Sequence, residues 1–379
     1  MQPPASSDAR RAWHAAQRVL AVRLDNLGDV LMMTPALAAI AESLPGARLD
    51  LLTSPSGAAL VAHLPMVSAA IAFQAPWVKA SGVGDEPAGA ELQLVERLTA
   101  ARYDAAVIFT TCSQSALPAA LLCRIAGIPL RLAHCRENPY ALLSDWVADD
   151  EVVGDGMRHE VARQLALVAH VGFRPRDDRL VFALRETDRR SLARRLAAAG
   201  IDAGRPYIVV HPGATAASRR YPAPLFGSAA ELIARRSGRG VVFTGDASER
   251  ALVDEARGRM TLASHSLAGD LSLGELAALI DGADLVVANN TGPAHIAAAL
   301  ATPLVDLYAL TNPQHTPWRA VARVLNHDVP CRNCLKSVCP QGHHDCLRRV
   351  DPAAVAAAAF DLLGISAVAA QSPRQDAVV

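Results

Sequence analysis

Apolar positions along the chain fall into short runs that alternate with longer stretches at helical spacing. In the first half, an apolar run over 18–24 meets a polar turn, after which apolar residues recur three and four apart up to residue 45. Further strand-like runs occupy 49–52 and 103–111, and a helix is predicted over 160–171. This succession of strand, turn, helix and strand is typical of a parallel sheet covered by helices.

The second half of the chain repeats this alternation. Strands are predicted over 207–211, 240–244, 284–288 and 303–308, and helices over 187–199, 224–236, 248–258, 272–281 and 292–300. A last helix is predicted to begin at Asp351, a residue type that caps helices well, and to end before Gly364. The regular exchange of strands and helices implies a second parallel sheet, so the predicted fold class is α/β.

The length of the chain favours two domains. A chain of 379 residues is about two domains at the ~150 residues that one domain usually takes. The composition places an N-terminal domain at 18–185 and a C-terminal domain at 186–365, with disordered tails over 1–17 and 366–379. The Pro- and Gly-rich segment 76–90 is predicted to be an exposed loop.

Charge and hydropathy exclude several classes of protein. The 37 Lys and Arg residues balance 37 Asp and Glu residues, which excludes a generically basic nucleic-acid-binding protein. No apolar run reaches the ~18 residues of a membrane span. Residues 1–17 hold no apolar stretch of the kind found in a signal peptide, so a cytoplasmic location is expected.

The first candidate site is the turn between the first strand and the first helix. Its sequence is Asp25-Asn26-Leu27-Gly28-Asp29. Ligands of parallel sheets bind beyond the carboxyl ends of the strands, where the next helices begin, so Asp29 is expected to face a cleft. The alternative is a carboxylate that only stabilises a helix N-terminus. The turn lacks the G-x-G-x-x-G pattern of dinucleotide-binding proteins.

The second candidate site follows the strand that ends at His211. A Pro-Gly-Ala-Thr segment ending at Thr215 is followed by paired arginines, Arg219 and Arg220. The hydroxyl and the guanidinium groups could hold a diphosphate through charge-assisted hydrogen bonds. The alternative is a solvated basic loop.

The third candidate site follows the predicted strand at 284–288. Asn289, Asn290 and Thr291 precede a helix that begins with Gly292 and carries His295 in its first turn. The free N–H groups at such a helix start attract anions. The alternative is an ordinary capped helix.

Together these segments resemble glycosyltransferase family 9, the heptosyltransferases of lipopolysaccharide core assembly. The resemblance rests on R-L-D-N-L-G-D-V-L-M-M-T-P-A-L, then H-P-G-A-T with R-R-Y-P, then G-D with a following E, then N-N-T-G-P-A-H-I-A-A-A-L, and covers residues 18–365. It implies a GT-B fold, with an acceptor domain and a nucleotide-sugar domain, both Rossmann-like, facing a cleft. It also implies an inverting, metal-independent transfer of heptose from ADP-heptose to a lipopolysaccharide inner-core acceptor, without a catalytic cofactor.

The resemblance also implies roles for individual residues. Asp29 matches the general base, which would deprotonate the acceptor hydroxyl, and Arg219 matches the cation that stabilises the leaving diphosphate. The implied donor-binding residues are Gly28, Thr215, Arg220, Glu249, Asn290, Thr291, Gly292 and His295.

The chain departs from the family pattern at one of these positions. Asn290 stands where heptosyltransferases often have Asp, and an amide can donate as well as accept a hydrogen bond. This difference leaves open another sugar nucleotide as donor or a protein (autotransporter) as acceptor. A non-catalytic sugar-nucleotide binder is a further alternative, although the presence of Asp29 argues against it.

The acceptor side is less defined by the sequence. Arg158, His159 and Arg163 are candidates to line it, and a solvated helix face is the alternative. A lipid-linked acceptor would bring the enzyme to the inner membrane as a peripheral protein. No nucleic-acid partner is expected.

A cysteine cluster remains near the C-terminus. Its members are Cys331, Cys334, Cys339 and Cys346, with His343 and His344 as alternative ligands. Four thiolates at this spacing can surround one tetrahedral ion, so the cluster, within the loop 330–347, is a candidate structural Zn or Fe site. It resembles the Cys-rich metal finger of autotransporter heptosyltransferases. Free thiols or disulfides are the alternatives, and a DNA-binding finger is disfavoured because no second knuckle follows.

Overall fold

The structure, a computed structural model, describes residues 5–78, 89–154 and 156–365. Its strands are β1 Arg18–Arg23, β2 Arg48–Thr53, β3 Ala69–Ala72, β4 Ala105–Ile108, β5 Leu130–Cys135, β6 Asp145–Ala148, β7 Tyr207–His211, β8 Gly240–Phe243, β9 His265–Ser266, β10 Leu285–Asn289, β11 Leu304–Leu307 and β12 Ala322–Leu325. Its helices are α1 Ser7–His14, α2 Leu27–Met32, α3 Thr34–Ser43, α4 Pro55–Ala58, α5 Ala90–Ala101, α6 Leu117–Ile125, α7 Glu160–His170, α8 Glu186–Ala198, α9 Ala223–Ser237, α10 Arg250–Arg257, α11 Leu273–Asp281, α12 Gly292–Leu300, α13 Asp345–Arg348 and α14 Pro352–Leu362.

These strands form two parallel sheets of six strands each. The first has the order β3-β2-β1-β4-β5-β6 and the second the order β12-β11-β10-β7-β8-β9. In the first, Val22 of β1 lies opposite Leu52 on one side and Ile108 on the other. Both orders reverse direction in the middle, between β1 and β4 and between β7 and β10. Such a reversal leaves a crevice beyond the carboxyl ends of the central strands, where ligands of these folds bind. The expected α/β fold with two parallel-sheet halves is confirmed.

One apolar core passes from one half of the molecule to the other. The largest cluster of buried side chains contains Leu31 and Leu37 from the first half and Leu279 and Ile296 from the second. Helices α2 and α12 contact each other across this boundary. The two sheets are therefore joined by packed side chains as well as by the chain itself.

Part of the segment 1–17, which was predicted to be a disordered tail, is helical in the structure. It forms α1, whose Trp13 is fully buried, packs edge-on against Phe173 and donates from Nε1 to Asp145 at 2.9 Å. Ser6 caps the helix through its hydroxyl. The prediction is wrong for this stretch because a single aromatic residue anchors an otherwise polar segment. The predicted tail 366–379 and most of the predicted loop 76–90 lie outside the described residues.

Several predicted elements agree closely with the structure. The strand at 207–211 and the helix at 292–300 are found as predicted. Asp351 accepts a hydrogen bond from the Ala353 amide at 2.8 Å, and Gly364 has a φ of +66°, so both helix-end assignments are confirmed. Within the described ranges, no helix has the length and apolar content needed to cross a membrane.

The predicted first helix is instead two helices. Met33 separates α2 from α3, and the hydroxyl of Thr34 donates to the Leu31 carbonyl at 2.7 Å. Pro35 in the first turn of α3 has no N–H to continue the α2 ladder. The break lets the short helix α2 point its first turn towards the second half of the molecule.

Candidate active site

A cleft of about 490 Å³ lies where β1, β7 and β10 end. Its lining includes residues of all three candidate turns: Asn26, Gly28, Asp29, Thr215, Arg219, Asn290, Thr291, Gly292 and His295. The structure therefore brings together segments that are far apart in sequence. It also adds residues that no motif indicated, namely His315 and the three residues of Leu335–Ser337.

Asp29 reaches the cleft from the first turn of α2 and stands beside a buried arginine. Arg23, fully buried at the end of β1, pairs with Asp25 at 2.7 Å, with Glu160 at 2.8 Å and with Asp29 at 3.4 Å. Sequence reasoning missed Arg23 and Glu160. The available signals were the position of Arg23 at the end of an apolar run and at the start of the R-L-D-N-L-G-D motif.

The carboxylates around Arg23 do not ionise alike. Burial raises the pKa of Asp29 above its ordinary value, and the nearby Arg23 and Arg219 only partly oppose this effect. Burial acts in the same direction on Glu160, but Arg23, His315 and Arg163 outweigh it and hold its pKa at about 2. Glu160 is thus the firmly ionised partner of Arg23. Asp29, 15% exposed, is the more basic carboxylate and the one that a substrate can reach.

Two imidazoles line the same cleft in the neutral form. Burial lowers the pKa of His295 to about 3 and that of His315 to about 4. Nδ1 of His295 and Nε2 of His315 are buried and have no hydrogen-bond partner among the described residues. The ring of His295 packs on Gly28, where an added Cβ would lie 3.0 Å from its Cδ2 atom. Gly28 therefore lets α2 approach α12 closely.

Arg219 is the arginine of the second turn that faces the cleft. Its neighbour Ser218 is buried and bonds to the backbone of Lys336 and Ser337, which holds the short helical turn in place. No carboxylate in the described ranges lies within ion-pair distance of the Arg219 guanidinium. Thr291 and Gly292 lie across the cleft at the start of α12. A cation and a helix N-terminus together favour a negatively charged ligand.

The bonds of Asn290 explain its departure from the family pattern. Its Nδ2 donates to Asp306 Oδ2 at 3.0 Å and to the His315 carbonyl at 2.8 Å. An ionised aspartate has no proton to donate to the His315 carbonyl or to Asp306 Oδ2. The Oδ1 atom of Asn290 accepts no bond from the described part of the chain, so it can still accept one from a ligand. The Asn290 amide therefore donates both hydrogen bonds within the protein through Nδ2 and still presents Oδ1 as an acceptor, as an aspartate would.

Two predicted donor-binding residues lie outside the lining of this cleft. Glu249 closes a capping box with Asp246, and its carboxylate lies against Gly213, where an added Cβ would come within 2.1 Å. Burial raises the pKa of Glu249. Arg220 is exposed and donates from Nε to the Ala214 carbonyl at 2.6 Å. Both residues contact the backbone of the second turn, at Gly213 and Ala214, and their role in donor binding stays a prediction.

The predicted acceptor residues also have other partners. Arg158 is exposed and pairs with a glutamate of its own loop, and His159 caps α7 and donates from Nε2 to the Thr316 carbonyl at 2.7 Å. Arg163 is fully buried and pairs with Asp149 at 2.7 Å. None of these three is among the residues that line the cleft. For Arg163 this corrects the expectation, because an acceptor cannot reach a side chain enclosed by protein.

The cysteine cluster borders the cleft through its intervening residues. Cys331 Sγ lies 3.6 Å from His343 Nε2. Burial raises the pKa of Cys346, and the other three thiols of the cluster act in the same direction. Among the residues that the structure describes, no three or more His, Cys, Asp or Glu side chains are arranged to hold a metal ion.

Comparison with known proteins identifies the lineage. Residues 91–344 match glycosyltransferase family 9 (heptosyltransferase). The chain belongs to this family. It is therefore a glycosyltransferase, as the sequence motifs predicted.

Individual relatives agree with this assignment. The chain is 29% identical over 332 residues to lipopolysaccharide heptosyltransferase 1 of Pseudomonas aeruginosa, which covers 85% of this chain and 87% of that protein. The solved structure of the E. coli ADP-heptose lps heptosyltransferase II is 25% identical, has a TM-score of 0.70 and covers 91% of this chain and 98% of its own. A family 9 glycosyltransferase of Veillonella parvula, 19% identical, has a TM-score of 0.74 over 92% and 98% of the two chains, which shows a shared fold. The two-domain GT-B fold of this glycosyltransferase is confirmed.

Proposed function

We propose that this glycosyltransferase transfers heptose from ADP-heptose to an inner-core sugar of lipopolysaccharide, with inversion at the anomeric carbon and without a catalytic metal. The names of the relatives support the donor and the acceptor class. The observation that carries the proposal is the placement of one basic carboxylate, Asp29, and one unpaired cation, Arg219, in the same cleft.

The reaction is a single displacement. Asp29 accepts the proton of the acceptor hydroxyl as that oxygen attacks the anomeric carbon of the donor, and the bond from this carbon to the diphosphate oxygen breaks. ADP leaves with the bonding electrons, and its added negative charge is stabilised by Arg219 and by the N-terminus of α12. Attack on the side opposite the leaving group inverts the configuration.

The donor is proposed to lie on the second half of the molecule. Residues 186–365 would form the nucleotide-sugar domain and residues 18–185 the acceptor domain. Thr215, Thr291 and the Gly292 amide would bind the diphosphate. The heptose hydroxyls would donate a hydrogen bond to the Asn290 Oδ1 atom and would donate to, or accept from, the neutral His295 ring. The acceptor would enter from the side of α2, which places its hydroxyl next to Asp29.

We also propose that Cys331, Cys334, Cys339 and Cys346 bind a structural Zn or Fe ion. The sequence spacing of the four cysteines, which fall within 16 residues and include a C-x2-C pair, supports this proposal. No open ligand position would remain, so the ion would hold the loop and take no part in the transfer. Metal analysis of the purified protein tests it: about one ion per chain is expected, and a Cys334→Ser variant should lose it.

A ligand titration and a transfer assay test the proposed function together. ADP and ADP-heptose should raise the thermal midpoint selectively over GDP, UDP and dTDP, since saturation at 100 times Kd stabilises a protein by about 2.7 kcal/mol. Transfer of heptose to a truncated lipopolysaccharide core should be lost in Asp29→Asn, by a factor of about 10²–10⁴, because removal of a general base has that effect.

Other outcomes would decide between the alternatives. A selective response to another nucleotide would overturn the heptose donor and keep the glycosyltransferase. Full turnover by Asp29→Asn would remove the assigned base. Binding of ADP-heptose without transfer to any lipopolysaccharide core would redirect the search to a protein acceptor.

A further inference from the structure

The segment Leu335–Ser337, between two cysteines of the cluster, forms one wall of the cleft. Its backbone is bound to the turn that carries Arg219. The Ser218 amide donates to the Ser337 carbonyl at 3.0 Å, and the Ser218 hydroxyl donates to the Lys336 carbonyl at 2.6 Å. Because Ser218 precedes Arg219 directly, the wall and this cation share one support.

A second set of bonds fixes the segment from the other side. The Asn333 amide donates to the Leu310 carbonyl at 2.7 Å, and the Leu335 amide donates to the Thr311 carbonyl at 2.8 Å. Asn333 and Leu335 have φ values of +60° and +51°, a backbone region that side-chain-bearing residues rarely adopt. Such conformations persist where the surroundings hold them. Hydrogen bonds from both sides therefore hold the backbone of this segment in place at the cleft.

The charged side chain of this segment that lines the cleft is Lys336. Lys336 is exposed, lines the cleft and has no carboxylate within ion-pair distance among the described residues. It is one of two lysines in the chain, the other being Lys79, whereas arginine supplies nearly all of the positive charge. An unpaired amine at this position can therefore meet a ligand without first leaving a protein partner.

The charges around the cleft favour an anion. In the described part of the lining, the single carboxylate of Asp29 faces two basic side chains, those of Arg219 and Lys336. The imidazoles of His295 and His315 are neutral because burial lowers their pKa values to about 3 and about 4. The lining thus carries an excess of positive charge, beside the N-terminus of α12.

We propose that Lys336 binds a phosphate of the donor's diphosphate and is a second cation for the leaving group beside Arg219. The inference rests on the proposed function for the presence of a nucleotide diphosphate in this cleft. A lysine ammonium is a flexible point charge with three donors, which suits a phosphate that changes position between substrate and product. Sequence reasoning missed it because its place beside Arg219 depends on hydrogen bonds between distant segments of backbone.

Isothermal titration calorimetry with ADP and with adenosine tests this role. In Lys336→Gln, the Kd for ADP should rise about tenfold, the loss expected for one charge-assisted hydrogen bond, while the Kd for adenosine stays the same. Lys336→Arg should retain most of the affinity. The matched control is Arg348→Gln, which removes an exposed positive charge from α13 outside the cleft lining and should leave both constants unchanged.

Two readouts separate this proposal from the function on which it rests. An unchanged Kd for ADP in Lys336→Gln, with a wild type that binds ADP, overturns the role of Lys336 alone. If the wild type instead binds UDP or GDP and Lys336→Gln weakens that ligand tenfold, the role of Lys336 stands and the donor is corrected. A wild type that binds no nucleoside diphosphate overturns both.

Discussion

At the scale of single residues, the buried Arg23 partly offsets the rise that burial causes in the pKa of the candidate base, Asp29. One guanidinium cannot neutralise three carboxylates, so the pKa values of the three carboxylates shift in different directions. Glu160 keeps its charge with a pKa of about 2, whereas the pKa values of Asp25 and Asp29 are raised. A carboxylate with a raised pKa is a stronger base, which is what the removal of a hydroxyl proton requires.

Replacement of Arg23 should therefore shift the acidic side of the pH profile. Asp29 acts as a base only when ionised, so kcat/KM falls as the pH drops through its pKa. In Arg23→Gln this pKa rises further because the attracting cation is gone, so the fall should begin at a higher pH. Denaturant unfolding should show a loss of about 3–5 kcal/mol, the usual result of breaking a buried ion pair.

A conservative variant keeps this prediction testable if Arg23→Gln is too unstable. Arg23→Lys retains the charge and should leave the acidic limb close to that of the wild type. An acidic limb that stays in place in Arg23→Gln, or that moves to lower pH, would show that Arg23 does not control Asp29.

The residues of the site differ in how far the sequence predicted them. Asp29, Arg219 and His295 lie in motifs that directly follow strands, so chain order alone predicted that they would meet. Lys336 and His315 lie in loops whose position depends on hydrogen bonds to distant backbone, such as that between Ser218 and Ser337. No local pattern reports such contacts.

At the scale of elements, most interior strands were predicted, whereas the buried interior strand β5 and the four edge strands β3, β6, β9 and β12 were not. β7 is buried along its whole length, and its apolar run shows this directly. β9 has only two residues, and β12 is largely exposed, so neither carries a pattern that distinguishes a strand from a loop. Their extended form depends on pairing with β8 and β11, which is a property of the assembled sheet.

The pair of strands β10 and β11 holds a carboxyl group whose ionisation should affect stability. Burial raises the pKa of Asp306 to about 7, although a hydrogen bond from Asn290 acts against this. Between its ordinary value of 3.8 and about 7 the folded protein holds a proton here that the unfolded chain releases. This group therefore makes the free energy of unfolding fall as the pH rises across that window.

The variant Asp306→Asn should remove this contribution, since an amide keeps the bond to Asn290 without a charge. Relative to the variant, the wild type should lose up to about 1.4 kcal/mol per pH unit within the window. Urea unfolding from pH 4 to pH 7 measures it, and Asp254→Asn, at an exposed carboxylate of α10, is the matched control. Parallel pH curves for the wild type and Asp306→Asn would contradict the assignment.

At the scale of the whole molecule, the continuous core predicts that the two halves unfold as one unit. Buried side chains of α2 and α3 pack with those of α11 and α12 in a single cluster. Calorimetry should show one unfolding transition, with equal calorimetric and van't Hoff enthalpies. A substitution such as Ile296→Ala should lower that transition without splitting it. Two separate transitions would show that the halves unfold independently.

The scarcity of lysine has a practical consequence for chemical labelling. An amine-selective acylating reagent has two side-chain targets in this protein, Lys79 and Lys336, and one of them lines the cleft. The rate at which Lys336 is acylated, read by peptide mass spectrometry, therefore becomes a footprint of cleft occupancy. Arginine-rich composition thus turns a single amine into a natural reporter for screening ligands, without an introduced probe.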